Sequence, residues 1–208
     1  MSTRGAGRRT PQQARAKQRR AELLDAAAQV LATAGYDGTT TTAVAKRAGA
    51  SVGTVYEYFP DRTALVAALL ERYRERLHAA LEPLLAAAGP RNWRTSTRRI
   101  VDAFVSFYRD EPGYRVLWLE SLTTPSLRAA GAAWASEFGA LLAGALAFAK
   151  HLSPERRHAA ASVCMYLVSG VTSMALTGEP RRVAPVVREI KLALERYLEL
   201  VLSPRARR

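Results

Sequence analysis

One cysteine, Cys164, occurs in 208 residues, so no intramolecular disulfide can form and a reducing cytoplasm is the natural setting. It lies in the apolar run from Val163 to Val168, which fits a small buried hydrophobe, and no base lies near it in sequence. Histidine is scarce too: His78, His151 and His158 are scattered and form no metal-ligand spacing, and His158 and Cys164 fall six apart, off a common helix face. No glycine-rich phosphate loop follows a strand. These absences argue against a helical enzyme and lead us to expect neither metal nor cofactor. Long hydrophobic runs are expected to be lacking as well: no uncharged apolar stretch is read as approaching the length of a membrane span, and the first twenty residues carry no secretory signal. The expectation is a cytoplasmic protein with no membrane partner.

Acid is missing from the start of the chain. Arg4, Arg8, Arg9, Arg15, Lys17, Arg19 and Arg20 precede the first carboxylate, and the whole chain carries a formal net charge of +13. Such a field attracts polyanions, nucleic acid among them. Lysine occurs only 4 times against 27 arginines. A G+C-rich genome also produces that bias, so charge alone does not name the partner. An amphipathic membrane-surface binder needs cations opposite a wide apolar face, which the basic arm does not have. With 49% hydrophobic and 24% charged residues the composition is that of a soluble globular protein, long enough for a small headpiece on a larger body.

Residues 1–17 show no apolar periodicity and read as a flexible basic arm. From Gln18, Leu23, Leu24, Ala27, Ala28, Leu31 and Ala34 recur at three- and four-residue steps, an amphipathic helix with Gly35 as its cap. Thr40 caps a brief helix that Gly49 stops, and Ser51 caps a second, Val52 to Phe59, that Pro60 ends. Two short helices this close form a helix-turn-helix. Asp61 caps a long fourth helix that Pro83 is expected to kink or break. Further helices are expected at Trp93 to Arg109, Pro112 to Leu122, Ser126 to His151, Pro154 to Leu176 and Arg182 to Leu202. With no strand alternation the fold class is all-α, about nine helices: a helix-turn-helix headpiece at 18–64 and a larger helical body at 65–208.

In the second short helix Val55 and Phe59 share one face, with Tyr58 beside them, while Val52, Gly53, Tyr56 and Glu57 project elsewhere. A DNA-reading helix is built this way, one side buried and the other carrying short or flat residues that let the backbone approach base edges. Gly53 weakens the helix by roughly 1 kcal/mol relative to alanine, a loss that close approach to DNA explains.

The run Gly35-Tyr36-Asp37-Gly38-Thr39-Thr40, then Val44 through Phe59, then Arg62 and Leu65, resembles the headpiece of the TetR-type regulators. The likeness covers about fifty residues; beyond them only the outline agrees. It implies a DNA-binding transcriptional regulator, most often a repressor, that pairs as a homodimer on double-stranded, palindromic operator DNA. The implied contacts are Thr40, Thr41, Thr42, Ser51, Val52, Gly53, Thr54, Tyr56, Glu57 and Arg62. Arg62, at the start of the fourth helix, is expected to grip a phosphate. Two positions depart from the family pattern: Val52 stands where Lys or Arg is frequent, and Glu57 where a basic residue or histidine is usual. A carboxylate there is repelled by phosphates unless it accepts from a cytosine amine or pairs with Arg62.

In the family the body encloses an effector pocket. Aromatic residues gather here, and such clefts suit apolar or aromatic molecules, so the expected effector is a small hydrophobic or aromatic one. The candidate lining is Phe104, Tyr108, Trp118, Leu122, Trp134, Phe138, Met165 and Ser169, chosen because their helices face the centre of the body; for any one aromatic residue, plain core packing is the stronger reading. The last two helices resemble the family's dimerisation unit. A small-residue patch, Ser169, Gly170, Thr172 and Ala175, and a stripe of Val186, Val187, Ile190, Leu194, Tyr197 and Val201 are expected to serve it, although packing within the chain competes for them.

Overall fold

Local capping signals set the limits of the early helices. The computed structural model describes residues 11–177 and 180–203, with the backbone alone at Pro11, Pro112, Leu122, Ser126, Leu176, Thr177, Pro180 and Arg182. Among the described residues there are nine helices and no strand. The chain divides into two compact units, Met1–Glu71 and Arg72–Arg208.

In the first unit, α1 (Pro11–Gly38) buries Leu23, Leu24, Ala27, Val30 and Leu31 along one face. It starts seven residues before the expected Gln18. The stretch 12–17 is exposed, so it has no apolar periodicity to read, yet Gln, Arg, Lys and Ala are good helix formers behind a first-turn proline. Residues 1–10 of the expected arm lie outside the described residues. At Gly35 the backbone leaves the helical region (φ 71°, ψ −174°), and one further turn reaches Gly38.

Thr40 caps α2 (Thr41–Ala48) by accepting from the Ala43 N–H at 3.1 Å. Gly49 ends it in the left-handed conformation, φ 60° and ψ 35°; its N–H bonds the Lys46 carbonyl and that of Ala50 the Ala45 carbonyl, the paired closure of a Schellman motif. Ser51 caps α3 (Val52–Tyr58) through the Thr54 N–H at 3.0 Å, and Asp61 caps α4 (Arg62–Ala86) through the Ala64 N–H at 2.7 Å. Each such cap is worth about 0.5–2 kcal/mol. Val44, Ala45, Val55, Phe59, Leu65 and Leu69 close the core of this unit.

The second unit holds the rest of α4 with α5 (Trp93–Asp110), α6 (Pro112–Thr123), α7 (Pro125–Ala145), α8 (Pro154–Thr177) and α9 (Pro180–Leu202). The break expected at Pro83 does not occur: helical backbone continues to Ala86, and the Ala87 N–H still reaches the Pro83 carbonyl at 3.2 Å. The proline deprives only the carbonyl of Ala79, which is exposed and within reach of water. Helix α7 stops at Ala145 rather than His151, tightening into i to i+3 hydrogen bonds after Gly144.

Helix α8 corrects the reading that no apolar stretch approaches a membrane span. Pro154–Ala175 is long and apolar enough, by length and composition, to cross one. Here it packs against α5, α7 and α9. Helices α6 and α7 cross so closely that a Cβ on Gly131 would lie 2.8 Å from Ser121 Cβ and Oγ, so only glycine fits. On the surface, Arg94 with Glu199 (2.6 Å), Lys191 with Asp102 (2.5 Å) and Arg98 with Glu195 tie α5 to α9.

Candidate functional site

The headpiece exposes a set of small polar groups around the ends of two short helices. Three residues, Gly49 to Ser51, separate α2 from α3. Thr40 and Ser51, the two capping residues, are exposed, as are Thr42, Val52, Gly53, Tyr56 and Glu57, while Thr54 is half-buried with its hydroxyl 2.9 Å from Ser51 Oγ. Val55, on the opposite face of α3, is fully buried. Tyr56 is 51% exposed, and its hydroxyl accepts from Thr41 Oγ1 at 3.4 Å. Thr41 itself is buried, which departs from its place among the expected contacts: it orients Tyr56 instead of facing outward.

Arg62 also differs from expectation. Its guanidinium lies 4.1 Å from the centre of the Tyr36 ring, donates to the Tyr36 carbonyl and stands 3.7 Å from the Asp37 carboxylate. The pairing partner is therefore Asp37 and not Glu57, and the charge joins α4 to the end of α1. On α2, Lys46 is exposed, and Arg47 donates to Gln29 Oε1 at 2.5 Å.

Gly53 is informative for what it does not touch. A Cβ there meets only Ser51 Oγ, at an ordinary 3.6 Å, and its φ is not positive. Nothing within the headpiece requires a glycine at this position. An exposed helical surface of short hydroxyls, a glycine and one flat aromatic suits phosphate oxygens and base edges.

In the second unit a cavity of about 90 Å³ lies between α4, α5, α7, α8 and α9. Leu85, Trp93, Ile100, Phe148, Cys164 and Leu198 are among its walls. Of the expected lining, Phe104, Phe138 and Met165 face it. Trp118, Trp134 and Ser169 do not; with Phe104, Phe138 and Met165 they bound a second space of about 10 Å³, room for no more than about one water. Tyr108 lines neither, being fully buried between Phe104 and Tyr114 with both ring centroids at 4.8 Å. The side chain of Leu122 lies outside the described residues. Trp93, Ile100 and Cys164 were not anticipated. The α5 spacing Trp93, Thr97, Ile100, Phe104 was the available signal, a stripe at helical steps.

Burial pushes the Cys164 thiol up to about 12, so it is a neutral, unreactive wall. Burial likewise pushes the phenols of Tyr73, Tyr108 and Tyr114 well up, leaving them neutral. Around them, Trp118 Nε1, Trp134 Nε1 and Thr172 Oγ1 are buried without a hydrogen-bond partner among the described residues. A buried donor left unpaired costs about 1–3 kcal/mol, so this cluster calls for an explanation.

The stripe expected to serve dimerisation belongs mostly to the chain's own core: Val187, Ile190, Leu194 and Val201 are buried, as are Ser169 and Thr172 of the small-residue patch. The apolar side chains that face outward are others, Val163, Tyr166 and Met174 on α8 and Leu192 and Leu200 on α9. A stripe read from spacing alone does not say which of two adjacent faces is inward.

Residues 23–69 match the family described as bacterial regulatory proteins, tetR family, and residues 92–198 match the tetracyclin repressor-like C-terminal domain. The chain belongs to the TetR family. The HTH-type transcriptional regulator BetI of Burkholderia thailandensis is 34% identical over 193 residues, covering 90% of this chain and 95% of that protein. The HTH-type transcriptional repressor KstR of Mycolicibacterium smegmatis is 37% identical over 73 residues, 35% of this chain and 36% of its own. A TetR-family transcriptional regulator from Streptomyces coelicolor superposes with a TM-score of 0.65 at 27% identity, over 88% of this chain and 99% of that one. The relationship thus extends well beyond the fifty headpiece residues, into the body. This TetR-family chain is a DNA-binding transcriptional regulator and not an enzyme.

Proposed function

We propose that this chain is a repressor that binds a palindromic operator as a homodimer and is released by a small apolar or aromatic effector. The observation that carries this reading is α3, which buries Val55 while exposing Val52, Gly53, Tyr56 and Glu57, with a glycine that the headpiece itself does not need. Thr40, Thr42, Ser51 and Thr54 supply phosphate contacts from around the starts of α2 and α3, and Tyr56, held by Thr41, reaches the duplex. Val52 offers an apolar contact to a thymine methyl group. The name of KstR as a repressor favours repression. An apolar cavity with no charged wall among the described residues supports an uncharged effector. The outward residues Val163, Tyr166, Met174, Leu192 and Leu200 support pairing through α8 and α9, since exposed apolar rows of this kind mark contact surfaces. The protein acts in the cytoplasm, where its DNA is.

A nuclease footprint on the DNA flanking the chain's own coding region tests the reading. The expected result is a protected palindrome with half-sites about 34–36 Å apart, or a multiple of that, its protection lost when an apolar ligand is added. Uniform protection that excess competitor DNA abolishes would instead describe a sequence-nonspecific basic protein.

A further inference from the structure

The two spaces in the second unit are neighbours. Phe104, Phe138 and Met165 belong to the walls of both, so these three side chains form the partition between the apolar cavity and the smaller space. Methionine is the adaptable member of that partition: unbranched and polarisable, it changes shape at little cost. On the cavity side the walls are apolar apart from Ser96, Thr97 and the neutral Cys164, and Thr97 already donates to the Trp93 carbonyl at 2.8 Å. On the other side stand Trp118 and Trp134, ring centroids 5.5 Å apart and each 4% exposed, both with an indole N–H that has no acceptor among the described residues. Tyr108 lies beside the Ser173, Tyr114 and Ser169 hydroxyls, which interact with its phenol, so the indoles and not the phenols are the groups left over.

An indole N–H is a donor only, so what this cluster lacks is an acceptor. No charged side chain lines either space among the described residues. An anion entering there would lose its hydration without a cationic partner, and a cation would find no carboxylate. Nor are the aromatic faces open to a cation: the Tyr114–Trp134, Trp118–Trp134 and Trp134–Phe138 pairs are packed edge to face, at interplanar angles of 78°, 85° and 84°.

We infer that the effector is a two-part, uncharged molecule. Its apolar body fills the larger cavity, and a single hydrogen-bond acceptor, such as a ketone, ester or amide carbonyl, passes the Met165 partition to accept from the Trp118 and Trp134 indoles. This deepens the reading of the second unit as an effector domain and rests on it. Displacing Met165 joins the two spaces, and the otherwise unpaired donors supply the selectivity for a carbonyl over a plain hydrocarbon.

Four probes of one shape test this by calorimetry on the full-length protein: acetophenone, ethylbenzene, benzoate and 1-phenylethylammonium. Acetophenone is expected to bind about tenfold or more tighter than ethylbenzene, as a bond to an unpaired buried donor predicts, and the two ions not measurably. Trp118→Phe and Trp134→Phe, made singly and checked by circular dichroism, keep the ring and remove the donor. In either variant that folds, the carbonyl preference is expected to shrink severalfold while ethylbenzene binding holds. Equal affinity for ketone and hydrocarbon, tighter binding of either ion, a preference untouched by the tryptophan variants, or no binding by any of the four overturns the inference. Gel shifts with acetophenone separate the two levels: selective binding that leaves DNA affinity unchanged preserves the site and defeats the regulatory reading.

Discussion

Gly53 separates the needs of the fold from those of the interface. Within a helix, glycine is less favourable than alanine by roughly 0.5–1 kcal/mol, and no neighbour or backbone angle in the headpiece requires it. Gly53→Ala is therefore expected to raise headpiece stability by about that amount while weakening operator binding, because the added methyl group stands where the backbone meets the groove. Thermal melting and gel-shift titration of one variant measure both, and a gain in stability with unchanged affinity would place the duplex elsewhere. Tyr56 carries the complementary expectation. Half-exposed and positioned by Thr41, it should lose at least about tenfold in affinity as Tyr56→Ala, within the range expected for one lost polar contact in a buried interface. Thr41→Val, which removes only the positioning partner, should lose less.

At the scale of elements, helices were the most legible feature because their signals are local. The caps Thr40, Ser51 and Asp61 and the glycine stop at Gly49 all bond as their residue types dictate. What the chain order does not record is which faces meet. Trp118 and Trp134 line the smaller space and not the larger cavity beside it, because the room between helices depends on how five of them converge. The exposed start of α1 was missed for a related reason: a solvated helix has no apolar rhythm to betray it. The pairing of α5 with α9 through Arg94, Arg98 and Lys191 is likewise invisible in sequence, its partners lying about ninety to a hundred residues apart. That pairing predicts a pH effect. The hydrogen bond from Arg98 holds the Glu195 carboxyl below the usual carboxylate range. Its stabilising contribution is thus fully present above the unfolded carboxylate value, about 4.3, and is lost as pH falls through the lower folded value. Melting temperatures measured from pH 6 down to 3 should show a shallower acid decline for Glu195→Gln than for the parent, and parallel curves would mean the pair contributes nothing.

At the scale of the whole molecule, the question is how a cavity in one unit alters DNA binding by the other. Helix α4 belongs to both, beginning with Arg62, whose guanidinium engages Tyr36, and supplying Leu81 and Leu85 to the cavity wall. Those two leucines flank Pro83, where one backbone hydrogen bond is already missing, so bending the helix there costs less than bending it elsewhere. A ligand shifts the DNA-binding equilibrium only by its differential affinity for the two states, so an effector pressing on Leu81 and Leu85 must favour the one that fits the operator less well. Linkage then requires reciprocity: if the effector lowers operator affinity by a factor of about 5 to 150, saturating operator must lower effector affinity by the same factor. Calorimetric titration of one apolar ligand with and without operator measures that factor from the ligand side, and gel shifts measure it from the DNA side. Pro83→Ala restores the missing donor and stiffens α4 where it bends, so the factor should fall in both measurements while effector affinity in the absence of DNA stays nearly constant. Equal ligand affinities with and without operator would mean that the cavity and the headpiece are not coupled at all, and a coupling factor unchanged by Pro83→Ala would move the flexure to another part of the chain.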